Sequence, residues 1–459
     1  MKKLSIFCCL LLMCLQVMAQ EEFKLPAYEK FQLKNGLTVY LMEQHEVPLI
    51  SVSVVTPAGA VRNGEQPGLA DITADALRYG TENYTKAQLE EAIDFMGASL
   101  YTSAGKETAG LSATFAAKDS EKALELIKEV LVKPAFPEEE WEKAQTRLLA
   151  QLDQQKESPR AVIHDYYDSF VFDEHPYGNT DSGTKASVKN IEVEDIRSFY
   201  EENYHPAASA IAVVGDFKKA EMKKKLQKLF KDWKGKGKPE SINIAEVPEP
   251  EKPRVLLVNK PDARETTFLI GGPGISRNNE DFVPAQVVNT ILGGRFTSWL
   301  NDELRVNSGL TYGARSAFDA YKKDGKFVIS TFTKNESTEE AIDLALKTYH
   351  RLHEQGIDAK TLESAKNYVK GQYPPRYETA GELASLLTSM YFYDFDESFI
   401  NNFQEKVDAL DVETANAVAK EYFPAENLQF VLIGKAEEIK DEVKKYGELT
   451  EKEISADGF

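Results

Sequence analysis

Gly293-Gly294-Arg295-Phe296-Thr297-Ser298-Trp299-Leu300-Asn301-Asp302-Glu303-Leu304-Arg305, continuing as Val306-Asn307-Ser308-Gly309-Leu310-Thr311-Tyr312-Gly313-Ala314-Arg315-Ser316, decides how this chain is read. The glycine pair permits a backbone conformation closed to other residues, Thr297 to Arg305 predicts about two turns of helix, and Asn307-Ser308-Gly309 stops it. A strand is expected from Leu310. This order sets Arg305 at a helix C-terminus and Tyr312 on the next strand, so a guanidinium and a phenol converge on one point. Both donate hydrogen bonds and can face a carbonyl or an oxyanion. By residue type alone, Arg305 could instead complement the helix dipole and Tyr312 pack in a sheet.

The wording of the whole stretch resembles the C-terminal-half signature of the pitrilysin-type zinc peptidases (inverzincins). There a Gly-Gly turn, a Ser-x-Leu helix, an Arg and a Gly-x-x-Tyr recur in this order. The resemblance implies that Arg305 and Tyr312 are a substrate-contacting pair, and it directs attention to where such a family holds zinc.

In the N-terminal half, Phe31 to Leu41 alternates around Asn35-Gly36, a two-residue hairpin signal. Leu49 to Val55 reads as a buried strand. A helix starts near Pro67-Gly68, runs through Leu69 to Arg78, and ends at Tyr79-Gly80-Thr81. The inverzincin motif places His-x-x-Glu-His on such a helix, where two imidazoles at i and i+4 hold zinc and the glutamate activates the bound water. Here the positions read Asp71, Ala74 and Asp75, so both histidines and the base are missing. A third ligand, a glutamate, is implied roughly 75 residues on, in a helix before an acidic Ser-Pro. Gln151 falls there, ahead of Lys156-Glu157-Ser158-Pro159. Asp71 and Asp75 share a helical face, but zinc favours nitrogen and sulfur donors and no third ligand is evident. The expectation is a metal-free relic helix.

The six histidines offer no substitute set. His45 follows a strand in a polar turn, and His164 and His205 have ordinary helical and loop settings. His175-Pro176-Tyr177-Gly178 reads as a structural turn. His350 and His353 are i,i+3 on a helix from Ser337 to Gln355, on its solvated face.

Met1 to Ala19 reads as a signal peptide: Lys2 and Lys3, an apolar run from Leu4 to Val17 too short to span a membrane, and a small-residue cleavage site at Val17-Met18-Ala19. All three cysteines, Cys8, Cys9 and Cys14, lie inside it, so the exported product would carry neither thiol nor disulfide. Lipid anchoring at Cys14 is disfavoured by the Met before it. The expected location is the periplasm.

The formal charge is −19, or −21 without Lys2 and Lys3, which disfavours nucleic acid or anionic lipid as partners. No later apolar run reaches membrane-spanning length. The remaining chain, about 440 residues, is too long for one core.

An internal repeat supports two domains. Ile191-Glu192-Val193-Glu194 leads through a helix to Tyr204-His205-Pro206, an apolar run from Ala210 to Val214, and Gly215. Leu410-Asp411-Val412-Glu413 leads likewise to Tyr422-Phe423-Pro424, Leu428 to Ile433, and Gly434, at an offset of about 218 residues. The fold class is therefore α+β: two homologous domains, each a largely antiparallel sheet covered by long helices. The boundaries are 20–231 for the first domain, 232–253 for an exposed Pro-, Gly- and charge-rich linker with little to bury, and 254–459 for the second. The halves are expected to hinge at that linker.

The resemblance runs from about Phe31 to Lys445. It implies half of a clam-shaped peptidase that closes against a second, zinc-bearing chain. This chain looks like the companion subunit of such a heterodimer. The resemblance implies no cofactor in this chain, zinc in the partner, and peptides as the substrates. Arg305 and Tyr312 then act in trans on the substrate carbonyl. Ala98 to Ala104, followed by Thr108 to Phe115, resembles the family's edge strand for β-augmentation, or is an ordinary hairpin beside the pocket. The alternatives are a binding or assembly subunit without catalysis, and a zinc peptidase with unusual ligands in this one chain.

Overall fold

The computed structural model describes residues 23–235, 242 and 244–459. The proposed signal segment, its cleavage site and the three cysteines lie outside these residues, as do 236–241 and 243 of the linker.

The strands form two six-stranded sheets of matching topology. The first contains β1 (Glu29–Gln32), β2 (Thr38–Glu43), β3 (Leu49–Thr56), β4 (Ser99–Ala104), β5 (Ala109–Ala116) and β6 (Ala210–Gly215), in the order β1-β2-β6-β3-β5-β4. The second contains β7 (Arg254–Asn259), β8 (Glu265–Pro273), β9 (Arg315–Ala320), β10 (Gly325–Lys334), β11 (Gln429–Gly434) and β12 (Glu448–Glu453), in the order β12-β7-β11-β8-β10-β9. Both are mixed rather than purely antiparallel: β2 runs parallel to β6, and β11 and β12 run parallel to β7. The repeat read from sequence is thus a repeat of sheets, with β6 and β11 in equivalent central places.

β6 and β11 are buried at every position, which accounts for their unbroken apolar sequence. One face of each sheet is covered by helices of its own half. Leu124, Ile127, Ile196, Phe199 and Leu226 pack with Val39, Leu41, Val52 and Val213 of the first sheet. Helices Phe282–Leu292, Thr338–Glu354 and Val412–Tyr422 bury the matching face of the second.

The other faces are covered by exchange. The helix Ala380–Tyr393, from the second half of the sequence, packs on β3 and β6. Its Leu383, Leu386, Leu387 and Met390 share one core with Tyr40, Met42 and Val214, and Thr388 Oγ1 lies 2.9 Å from Ser53 Oγ. Reciprocally, the helix Pro159–Phe172 of the first half packs on β8 and β11. There Val162, Ile163, Tyr166 and Tyr167 meet Leu256, Leu269, Val328 and Val431. A Cβ at Gly271 of β8 would lie 1.9 Å from Phe327 O and 2.8 Å from the Tyr167 hydroxyl, so the strand is bare at that point.

Four local expectations change. Asn35-Gly36 does mark a hairpin, but Leu33 N–H bonds Leu37 O at 2.8 Å across a three-residue loop. Gly36 takes the positive φ of 92°, while the Asn35 amide bonds Phe230 O and Trp233 O. The expected strand at Leu310 starts only at Arg315, because Thr331 and Thr333 side chains bond Gly313 O and Leu310 O and take the place of a ladder partner. Gly293 adopts φ −154°, outside the left-handed region. Space is what demands glycine, since a Cβ there would lie 2.2 Å from Ser316 N. The linker is pinned at both ends: Trp233 is 2% exposed in the first core, and Val247 is 7% exposed against Phe172 and Tyr177.

The expected hinge is also blocked. Glu107, in the β4–β5 turn, accepts Lys322 N–H at 3.1 and 3.0 Å and the Tyr177 hydroxyl at 2.9 Å. Asp168 pairs with Lys106 at 3.3 Å and with Lys326 of β10. The halves form one body.

Leu387→Ala tests the exchange. Deleting this buried side chain should cost about 2–5 kcal/mol and shift a single urea transition that reports on both sheets. Two separate transitions, with only one displaced, would show that the halves fold independently.

Candidate functional site

The helix Leu69–Ala76 starts after Gly68, held in the left-handed region at φ 90°, with Ala70 N–H bonded to Asn63 Oδ1 at 2.8 Å. It lies beside β4, which pairs only with β5 and forms the edge of its sheet, with Tyr101 exposed. Asp71 Oδ1 accepts the Ala104 N–H of that strand at 3.2 Å. Burial pushes the Asp71 carboxyl up to about 6, the strand N–H pulls it down, and Asp75 and Asp181 add a smaller push upward. Asp75 pairs with Arg78 at 3.3 Å, and Arg78 Nε donates to Thr102 Oγ1 at 2.9 Å. Ala74 is buried, and Gln151 is exposed on the helix Glu138–Gln155.

Asp71, Asp75 and Gln151 do meet at one cavity of about 240 Å³, beside Arg78 and Arg147. Its donors do not suit zinc. Asp71 holds a strand, Asp75 an arginine, Glu90 is the third carboxylate of the lining, and no imidazole or thiolate lines the space. Among the described residues no group of three or more His, Cys, Asp or Glu is placed to hold a metal ion.

The histidines are tied up structurally. His45 pairs with Asp216 at 2.7 Å, His205 is buried with Nε2 2.8 Å from Glu202 O, and His175 Nδ1 accepts Tyr177 N–H at 3.1 Å to cap its turn. His353 departs from the expected solvated face. It is half-buried with its ring 5.6 Å from that of Tyr349, because the helix Thr338–Glu354 turns that edge toward the core.

Arg305 and Tyr312 come together at a different place, a cavity of about 760 Å³ that shares no lining residue with the Asp71 cavity. The predicted helix is short. Trp299–Asn301 is α-helical and Asp302–Asn307 is a π-turn, closed by Ser308 N–H to Glu303 O at 3.1 Å and ended at Gly309, φ 68°. Such wide turns recur where function re-aims a side chain. Tyr312 lies in the loop before β9, not on the strand, and is 75% exposed. The Arg305 guanidinium is sandwiched, 4.7 Å from the Phe296 ring centre and 4.5 Å from that of Tyr312. It has no carboxylate within 4 Å among the described residues, so its in-plane N–H groups are left for a ligand.

Further residues reach the same cavity. Arg295 and Arg315 lie in the opening stretch, and Arg160 and His164 arrive on the exchanged helix Pro159–Phe172. Burial, then Lys326, lowers the His164 pKa. Arginine content was the only sequence signal for Arg160, Arg295 and Arg315.

Comparison with known proteins gives this arrangement its class. The family model "Insulinase (Peptidase family M16)" matches residues 38–185, and the model "Peptidase M16 inactive domain" matches 190–369. The chain is 20% identical to the uncharacterized zinc protease YmxG of Bacillus subtilis, over 86% of this chain and 95% of that protein. It is 23% identical to the non-peptidase homolog YmxG of Helicobacter pylori, over 85% and 90%. Its fold matches a crystal structure of a peptidase M16 inactive domain from Pseudomonas fluorescens with a TM-score of 0.83, at 24% identity, covering 89% of this chain and 98% of the other. A protease structure from Helicobacter pylori matches at 0.81, with 20% identity and coverage of 89% and 100%. The chain belongs to the pitrilysin-like peptidase M16 family, as an inactive-type member.

Asp71 makes a prediction about pH. Its carboxyl titrates at 3.8 when unfolded and at about 6 in the native chain, so the native state keeps the proton longer and stability drains away as pH rises between those values. Asp71→Asn keeps an acceptor for Ala104 N–H and removes the charge. The variant should exceed the wild type by on the order of 1–2 kcal/mol in urea denaturation near pH 7.5 and by almost nothing near pH 4. Equal stabilities near pH 7.5 would contradict this.

Proposed function

We propose that this chain is the exported companion subunit of a heteromeric zinc peptidase, pairing with a homologue that carries the His-x-x-Glu-His helix. The observation that carries the reading is the Arg305 guanidinium. It is held between two aromatic faces, has no counterion among the described residues, and opens on a cavity whose lining contains no carboxylate. A residue kept only for packing has no need of that arrangement.

In this reading the partner supplies zinc and a general base. Arg305 donates in-plane N–H groups to the substrate carbonyl and strengthens its hold as charge develops there. Tyr312 flanks the guanidinium, fixes its plane and offers its exposed hydroxyl to the same peptide. Donors aimed at developing charge are each worth on the order of 3 kcal/mol, because they act in a site already organised for the transition state. The basic and apolar segment ahead of Ala19 fits delivery to the periplasm. Among the described residues no helix is long and apolar enough to cross a membrane.

Peptidase activity of the chain with zinc, alone and mixed with the zinc-box homologue, tests this. Activity should appear only in the mixture. Arg305→Ala should lower kcat/KM at least about tenfold while the complex still forms on gel filtration. A mixture indifferent to Arg305 would leave an assembly role, and activity from this chain alone would require a metal site on it.

A further inference from the structure

The cavity around Arg305 carries more positive charge than a carbonyl needs. The chain has a formal charge of −19, yet this lining contains four arginines and neither Asp nor Glu. Arg160 is balanced from outside the cavity by Glu265 at 2.8 Å and lies over the Phe332 ring at 3.4 Å. The other three have no carboxylate within 4 Å among the described residues. Arg305 is held by stacking. Arg295 bonds Ser364 O and Oγ at 3.2 and 3.1 Å, and its Nε is buried without any hydrogen-bond partner. Arg315 opens edge strand β9, exposed, opposite Ser330 of β10, which lines the same cavity.

Three uncompensated guanidiniums in one concavity repel each other and concentrate a positive potential there. An ionised carboxylate relieves that repulsion and matches the planar fork of arginine with paired hydrogen bonds. The charge is also local. The adjoining cavity, which shares His164, mixes both signs: Asp165, Asp168, Asp181 and Asp319 line it together with Lys106, Arg277 and Lys326. The uncompensated positive charge is therefore confined to the arginine cavity, a span that suits a single carboxylate rather than an extended polyanion.

We propose that Arg315 and Arg295 form an anion subsite beside Arg305, which selects peptides by one carboxylate: an acidic side chain or a free C-terminus. This rests on the companion-subunit reading for its peptide ligand, but binding to the isolated chain measures it without partner or zinc.

The test is fluorescence anisotropy with rhodamine-labelled peptides of one sequence in three forms: a single Glu with an amidated C-terminus, Gln in its place with the amide, and Gln with a free carboxylate. At least one carboxylate form should bind about tenfold more tightly than the Gln amide, the difference expected of a charge-assisted bidentate bond. Which of the two does so identifies the source. Arg315→Ala or Arg295→Ala, each checked for native circular dichroism, should erase the preference between the carboxylate and Gln-amide peptides; Arg315→Lys should restore part of it. Equal binding of all three peptides by the wild type, or a preference that survives both alanine variants, would overturn the subsite. A failed reconstitution with the zinc-box homologue would count against the companion role and leave this result standing.

Discussion

Each sheet of this protein has two apolar faces and only one set of helices of its own. β6 and β11 are buried at every position, so an uncovered face would expose the core of its half to water. The solution is reciprocal. The helix Ala380–Tyr393 crosses to the first sheet and Pro159–Phe172 crosses to the second. Neither half has a complete hydrophobic layer without the other, and the linker is not where cohesion resides. The Asp168 ion pairs and the Glu107 clamp are polar supplements at the seam, tolerated there because both carboxylates have partners.

The same exchange builds the cationic cavity. Arg160 and His164 sit on the first turns of the crossing helix, and the stretch from Gly293 to Ser316 supplies the facing wall. Equivalent surfaces in the two halves have diverged chemically. In the first half the helix beside the edge strand keeps two carboxylates, one of which now ties down that strand. In the second half Gly293 presses against Ser316, and Asn289 bonds the same residue through Ser316 O at 3.0 Å and Ser316 Oγ at 2.6 Å. Ala74 packs in the first core while Asp71, Asp75 and Gln151 line the cavity beside it, so these positions are part of the architecture.

Much of this was legible in the residues. Unbroken apolar runs marked β6 and β11, the repeat placed them in equivalent positions, and the missing imidazoles on the Leu69 helix were plain. The exchange was not, since an amphipathic pattern states that a helix has an apolar face without naming the sheet that receives it. The π-turn was hidden for a similar reason: propensity does not separate 3.6 from wider turns, and the threonines of β10 that draw Leu310 to Gly313 out of the sheet are remote in sequence. Gly293 was read as a conformational requirement when it is a steric one, because the atom it must admit belongs to a strand laid down later. Arg295 and Arg315 stood in the quoted stretch beside Arg305, but ten-residue spacing follows no period of helix or strand, and only tertiary folding turns all three toward one space.

The helix exchange also bears on descent. Two similar units that trade the same element, each finishing the other, have the geometry of a domain-swapped homodimer whose chains have been joined end to end. Joining them through the segment between Trp233 and Val247 replaces a concentration-dependent encounter with an intramolecular one. Once association was guaranteed by covalent linkage, the copies no longer had to remain identical at the surfaces they share. One copy could then gather arginines around its cavity while the other kept paired aspartates beside its edge strand.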